Sequence, residues 1–337
     1  MNVDVINKGD FRFNVGAIYN YNRNKLDELP NADQYLYSSY WGSSSLVPTN
    51  DYMFVEGKAI GLVRGFISEG YYTVDDFNYT NGQYVLKEGV PDITKALTAT
   101  YMHPYDLPAG QTAFPGAAKF RDVDESGTVD LDDATCLGEV MPRHTGSFQL
   151  NFNYKNFDLS TNFNWTAGGK VYNVAAMINA SGQEFDGIGA QRASWVADAF
   201  KVYNVNAAGD LYAVTNPDEL RALNANAKYH LPYHQSGITS SEWLENGSYL
   251  RLQTLTLGYT LPKNWLTKVH VDKIRLYLTA TNLFTITGYS GIDPEVNANP
   301  TGQSGFYSDL RIFPTLNMDF GTYPRARTFT FGANITF

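Results

Sequence analysis

Few positions in this 337-residue chain combine residue types and spacing that could do chemistry. The clearest run is Asp122-Val123-Asp124-Glu125-Ser126-Gly127-Thr128-Val129-Asp130, continued by Asp133. Oxygen ligands recur at alternate positions (Asp122, Asp124, Ser126, Thr128, Asp130), with Asp133 twelfth. Gly127 permits a sharp turn and Val129 would pack inward. The pattern is that of an EF-hand-type calcium loop. Ser126 is a weaker ligand than Asp, and Asp133 is shorter than the usual Glu. One reading is a structural Ca²⁺ that holds a loop, with a Kd of about 10⁻⁴–10⁻³ M as in extracellular modules. The other is an acidic turn without metal. His230 and His234 stand four apart, the spacing of a metal pair on a helix. Pro232 lies between them and no acidic or Cys partner completes the set, so they read as loop histidines. There is no G-x-S-x-G, Walker, Rossmann or H-E-x-x-H pattern, and no enzyme is expected.

Aromatics form a second group: Tyr37, Tyr40 and Trp41; Tyr71 and Tyr72; Tyr101 and Tyr105; Tyr289; Phe306 and Tyr307. Such rings stack on the C–H faces of sugars, with nearby Asn or Asp available to hydroxyls. They are also enriched where proteins meet, and they pack loops. All three readings stay open from sequence.

The elements that would position these groups are strands. Aromatics make up 15 % of the chain and charged residues only 18 %, against about 25 % in ordinary domains. Mean hydropathy is −0.31, and no apolar run reaches the length of a membrane helix. Few charges, many rings and cancelling hydropathy suit a transmembrane β-barrel, whose apolar and polar residues alternate. The net charge of −9 argues against nucleic acid, which needs a basic face. Cys136 alone allows no intrachain disulfide.

Period-two alternation marks the strands. Phe11, Phe13, Val15, Ala17, Tyr19 and Tyr21 share one face. Phe148 to Tyr154 and Phe157 to Trp165 flank a two-residue turn at Lys155-Asn156. That turn would pair Tyr154 with Phe157, Phe152 with Leu159, Leu150 with Thr161 and Phe148 with Phe163. Tyr249 to Leu261 and Ile274 to Phe284 alternate likewise. The chain closes on Phe329, Phe331, Ala333, Ile335 and Phe337. An alternating strand with a terminal aromatic resembles the assembly signal of outer-membrane barrels, carried here by Phe329, Phe331, Ile335 and Phe337. Trp165 and Trp265, near strand ends, suit an interface belt.

The connections alternate short and long: 7–10, 155–156 and 262–272 against 23–57, 167–246 and 286–324. Short periplasmic turns and long extracellular loops are the barrel rule. Residues 58–72 look extended and leave the strand count at about seven to nine, on strands of about 9–11 residues.

Several blocks then carry a family resemblance. Ser248-Tyr249-Leu250-Arg251-Leu252 running to Leu257-Gly258-Tyr259-Thr260-Leu261-Pro262 resembles a hallmark of the SusC/RagA family of TonB-dependent transporters. So do Asn282-Leu283-Phe284 with Tyr289-Ser290-Gly291-Ile292-Asp293-Pro294-Glu295, Tyr154-Lys155-Asn156-Phe157-Asp158-Leu159, and Tyr323-Pro324-Arg325. Glu56-Gly57-Lys58, Gly65 and Glu69-Gly70 add a further block. The resemblance covers essentially the whole chain. It implies an all-β segment of an outer-membrane barrel of about 22 strands, with residues 1–337 as the C-terminal part and the plug and N-terminal strands outside it. It further implies a SusD-like surface lipoprotein, TonB as energy source, and import of oligosaccharides, with peptides the alternative cargo. Seven to nine strands cannot close such a barrel, and open edges are not tolerated in lipid. The chain is therefore expected to complete its wall with further sequence, as does the lack of a signal-peptide pattern after Met1. The competing reading, a soluble β-rich glycan-binding module, expects a folded monomer without detergent.

Overall fold

Seven long strands lie side by side in a single meander. They are β1 (Asn2–Lys8), β2 (Phe11–Tyr21), β3 (His144–Tyr154), β4 (Phe157–Ala167), β5 (Tyr249–Thr260), β6 (Lys273–Thr287) and β7 (Thr328–Thr336). Their order in the sheet is their order in the chain, and each neighbouring pair is antiparallel. The structure is a computed structural model, which describes residues 1–30, 32–39, 46–98, 103–181, 193–231, 237–267, 271–296 and 317–337.

The register follows from the period-two pattern. Tyr154 faces Phe157, Phe152 faces Leu159, Leu150 faces Thr161 and Phe148 faces Phe163, as the turn at Lys155-Asn156 requires. Lys155 takes φ +51° there, a left-handed turn conformation. Because both faces alternate in step, a one-residue slip would put every apolar side chain on the polar face. The apolar face is tiled by rings: Phe13 stacks on Phe152 at 4.3 Å, Phe148 on Phe163 at 4.6 Å, and Phe157 lies 4.6 Å from Tyr259. The other face is hydrogen-bonded across strands. Asn164 donates to Gln253 at 2.6 Å, Ser160 to Asn151 at 2.6 Å, and Arg275 spans β5 to reach Asp158 through two contacts of 2.9 and 2.5 Å. Gly258 sits beneath that ion pair, where a Cβ would come within 2.5 Å of both partners. The glycine is the space that lets the bridge cross a strand.

The structure adds one strand to the sequence reading and settles one question it left open. Strand β1 was not singled out by alternation, because a bulge between Asp4 and Ile6 breaks its period. Residues 58–72 do not cross the wall. Leu62–Gly65 joins a four-stranded sheet with Thr135–Glu139, Tyr52–Val55 and Gln34–Tyr37, while Ser68–Tyr71 pairs with Ala118–Phe120. The described wall therefore has seven strands.

All three long connections leave the wall at the same end, and they fold into a layer with cores of their own. One core gathers Phe66, Tyr72, Phe77, Tyr84, Phe114 and Leu220; another gathers Tyr52, Val63, Tyr172, Met177 and Trp243. Aromatic and aliphatic burial of this kind stabilises by about 25 cal/mol per Å², enough to hold short strands that could not stand alone. Local signals help. The helix Pro217–Leu223 starts at Asn216, whose side chain accepts from the N–H groups of Asp218 and Glu219, with Pro217 in the first turn.

Candidate functional site

The acidic loop lies in this layer, and its backbone is wound around its own carboxylates. Gly127 takes φ +88°, which lets Asp122 accept from the Ser126 N–H at 3.1 Å and the Gly127 N–H at 2.7 Å. Asp124 accepts from Ser126 N–H at 3.0 Å, and the bonds from Ser126 hold its carboxyl below the usual carboxylate range. Val129 is buried and pairs in parallel with Ile93. Asp133, fully buried, accepts from the N–H groups of Val123, Asp124 and Asp130 at 2.5, 3.3 and 2.8 Å.

One carboxylate oxygen from each of Asp122, Asp124 and Asp133 lies within 4.8 Å of the others. Hard oxygen donors so grouped fit a cation such as Ca²⁺. Of the carboxylates in the pattern, Asp130 is not in this group. Ser126 Oγ donates to the Thr128 carbonyl at 3.0 Å, and Asp130 accepts from Asp132 N–H at 2.8 Å. The buried carboxyl of Asp133 is thus met by backbone donors, while Asp122 and Asp124 are less buried.

The aromatic positions fare differently. Tyr72 is wholly buried and donates to the Pro91 carbonyl at 2.6 Å. Tyr71 is half-buried, donates to the Ala227 carbonyl at 3.0 Å and packs edge-on against Phe200. Tyr289 is buried and donates to Asp319 at 2.6 Å. These three build the layer, because a large ring beside a satisfied hydroxyl is stable inside. Tyr37 and Tyr105 are buried as well. Tyr40, Trp41, Tyr101, Phe306, Tyr307 and His234 lie outside the described residues. His230 is buried, with Nδ1 2.8 Å from the Leu231 carbonyl and Nε2 3.9 Å from Glu242. Phe329, Phe331, Ile335 and Phe337 stand exposed along the last strand and its end.

Two constellations were not assembled from sequence. Arg251, on β5, is 2 % exposed and reaches Asp293 at 2.5 Å and Glu295 at 3.8 Å; Glu295 also meets Arg325 at 2.7 Å. Among the described residues the Arg251 Nε has no hydrogen-bond partner. This charged chain ties the wall to the segment that follows β6. Its residues sit in three recognisable sequence blocks, but only the fold joins them. The second is a cavity of about 190 Å³ lined by Ala176, Ala180, Trp195, Tyr229, Glu242, Trp243, Glu245 and Ser290. Its walls come from five separate stretches, so no local spacing marks it.

Comparison with known proteins fits this architecture. No family model matches the chain. It is 28 % identical over 333 residues to TonB-dependent receptor P3 of Formosa agariphila, covering 98 % of this chain and 27 % of that protein. It is 26 % identical over 246 residues to TonB-dependent receptor SusC of Bacteroides thetaiotaomicron, covering 70 % of this chain and 19 % of SusC. A solved structure of the RagAB peptide transporter matches all of this chain and 28 % of its own with a TM-score of 0.61, at 19 % identity. The relatives are receptors and transporters rather than enzymes. By sequence this chain is similar to TonB-dependent receptors, SusC among them, and by fold it is similar to the RagAB transporter; it covers 19–28 % of the length of these proteins.

Proposed function

We propose that the chain forms part of the wall and part of the outer layer of an outer-membrane barrel that imports nutrients with energy from TonB. The observation that carries this is the seven-strand meander with one ring-tiled face and one hydrogen-bonded polar face, its long connections all folded at one end. No helix among the described residues is long and apolar enough to cross a membrane. Strands of 11 to 15 residues in β2 to β6 are long enough to do so. The sheet leaves β1 and β7 as open edges, which lipid does not tolerate. The chain then works with the remainder of a barrel of about 22 strands and with a plug. In this reading residues 1–337 are the C-terminal part.

The cargo we assign is an oligosaccharide, delivered with a SusD-like surface lipoprotein docked on the layer. Peptide is the second reading, supported by the fold match to a peptide transporter. Calcium at Asp122, Asp124 and Asp133 would brace the layer rather than touch cargo. The test is uptake of fluorescent oligosaccharides and peptides by cells with and without the gene. Loss of uptake of either class on deletion, restored by the intact gene, is the expected result. Unchanged uptake of both would overturn the import reading.

A further inference from the structure

The cavity behind Trp195 is chemically unusual. Trp195 stacks on Tyr229 at 3.8 Å and lies 5.2 Å from Trp243, so three rings frame one small space. Trp195 is 8 % exposed, and its indole N–H is buried without a hydrogen-bond partner among the described residues. Buried N–H groups are nearly always paired. This one therefore asks for an acceptor that the described residues do not supply.

Two glutamates line the same space, and among the described residues no Lys or Arg does. Glu245 is held by Asn173 and by the N–H and hydroxyl of Ser290, each at 2.7 Å. Glu242 has, among the described residues, only His230 as a charged neighbour, at 3.9 Å. That is beyond hydrogen-bond reach. Burial pushes the Glu242 carboxyl up, with His230 acting against it. A carboxylate with unused acceptor positions beside ring walls is the recognition chemistry of an ammonium group. At about 190 Å³ the space is smaller than the roughly 300–1,000 Å³ of drug-sized sites, so it takes one ring or one residue rather than a chain.

We propose that this cavity is a binding site for a primary ammonium group carried next to a hydrogen-bond acceptor, with Glu242 pairing the cation and the Trp195 indole N–H bonding the acceptor. Two sources share that chemistry: the free amino terminus of a peptide, whose first carbonyl is the acceptor, and a 2-amino sugar, whose neighbouring hydroxyl is. Glu245 sets the field, and Trp243 and Tyr229 exclude water. The proposal names a subsite within the importer reading and rests on it for biological purpose, though not for its test.

The test uses the intact protein that carries this chain, purified in detergent, with tryptophan fluorescence and calorimetry as readouts. The probes are trialanine, N-acetyl-trialanine, D-glucosamine and N-acetyl-D-glucosamine. At least one free amine should bind at least tenfold more tightly than its acetylated form, and whichever amine binds more tightly identifies the source. Glu242→Gln should remove the preference, and Trp195→Phe should weaken the free amine while leaving the amine preference in place. An unchanged melting curve shows that either variant still folds. Equal binding of free and acetylated probes, binding of none, or an unaltered preference in Glu242→Gln would overturn the proposal. Cellular uptake is scored separately. Uptake with no amine preference in the titrations defeats the subsite alone. Amine binding with no gene-dependent uptake defeats the import reading alone.

Discussion

Phe329 and Phe331 on the last wall strand are 65 % and 74 % exposed, whereas Phe66 and Phe114 in the layer are 0 % and 1 % exposed. The same residue type serves opposite ends. In the layer it buys stability by leaving water for a protein core. In the wall it has no protein to cover it, because the sheet is one strand thick and both faces look outward. Its polar face is organised instead by cross-strand bonds such as Asp158–Arg275 and Asn164–Gln253. A wall of this kind is complete only when something apolar covers the rings. A layer of this kind buries its rings in cores of its own.

The contact between the two regions should be the most sensitive point. Arg251→Ala would strand the buried carboxylate of Asp293, at a cost of about 3–5 kcal/mol. Urea unfolding of the layer would register it, and a shift below about 1 kcal/mol would mean that the pair does not join the regions. Next, Phe331→Arg should impair insertion by about 2–4 kcal/mol if that face meets lipid near the bilayer midplane, while lumen-side substitutions only tune selectivity. Thr330→Arg, one residue away on the other face, should therefore insert normally. Equal behaviour of the two would erase the distinction between faces. Gly258→Ala should cost about 1–3 kcal/mol by overpacking, since its Cβ meets both Arg275 and Asp158. Replacing Asp158 with Ala in the same chain should relieve most of that, as read from heat resistance of the folded barrel on a gel.

Smaller effects belong to the layer. Asp51 is fully buried beside Ser39, and burial raises its carboxyl to about 7. A raised folded value means the folded state holds its proton more tightly than the unfolded chain does. The stabilisation is full below about pH 4 and is lost as pH rises to about 7. Each pH unit in that window lowers stability by at most about 1.4 kcal/mol. Asp51→Asn should flatten the slope, and an unchanged pH profile of melting would contradict it. Calcium at ten times its Kd should add about 1.4 kcal/mol and raise the melting temperature of the layer. Asp122→Asn with Asp124→Asn should abolish the gain, and a gain that survives would place the ion elsewhere.

The wall was legible in the sequence because its rule is local. Alternation at Phe148 to Trp165 sets faces, and a two-residue turn sets register, so every pair in that hairpin could be written down in advance. Strand β1 escaped because its bulge interrupts the period within seven residues. The layer was much less legible. For Tyr71, Tyr72 and Tyr289 the sequence left ligand contact, partner contact and loop packing open; they pack or bond within the layer, and their partners come from distant stretches: Ala227, Pro91 and Asp319. The acidic loop was visible through Gly127 and its spaced oxygens. That Asp133 would be consumed by backbone donors was not. The cavity at Trp195 draws on residues from Ala176 to Ser290, and no single window contains it.

The most direct test of the membrane wall is a cysteine scan of Thr328 to Thr336 in a Cys136→Ser background, with spin labels and collision agents read in native outer membranes. Oxygen dissolved in lipid should reach labels at 329, 331, 333 and 335, and a water-soluble nickel chelate should reach those at 328, 330, 332, 334 and 336. Uniform access of the nickel chelate along the whole strand would contradict a lipid-facing wall and return the chain to the class of soluble β-rich modules.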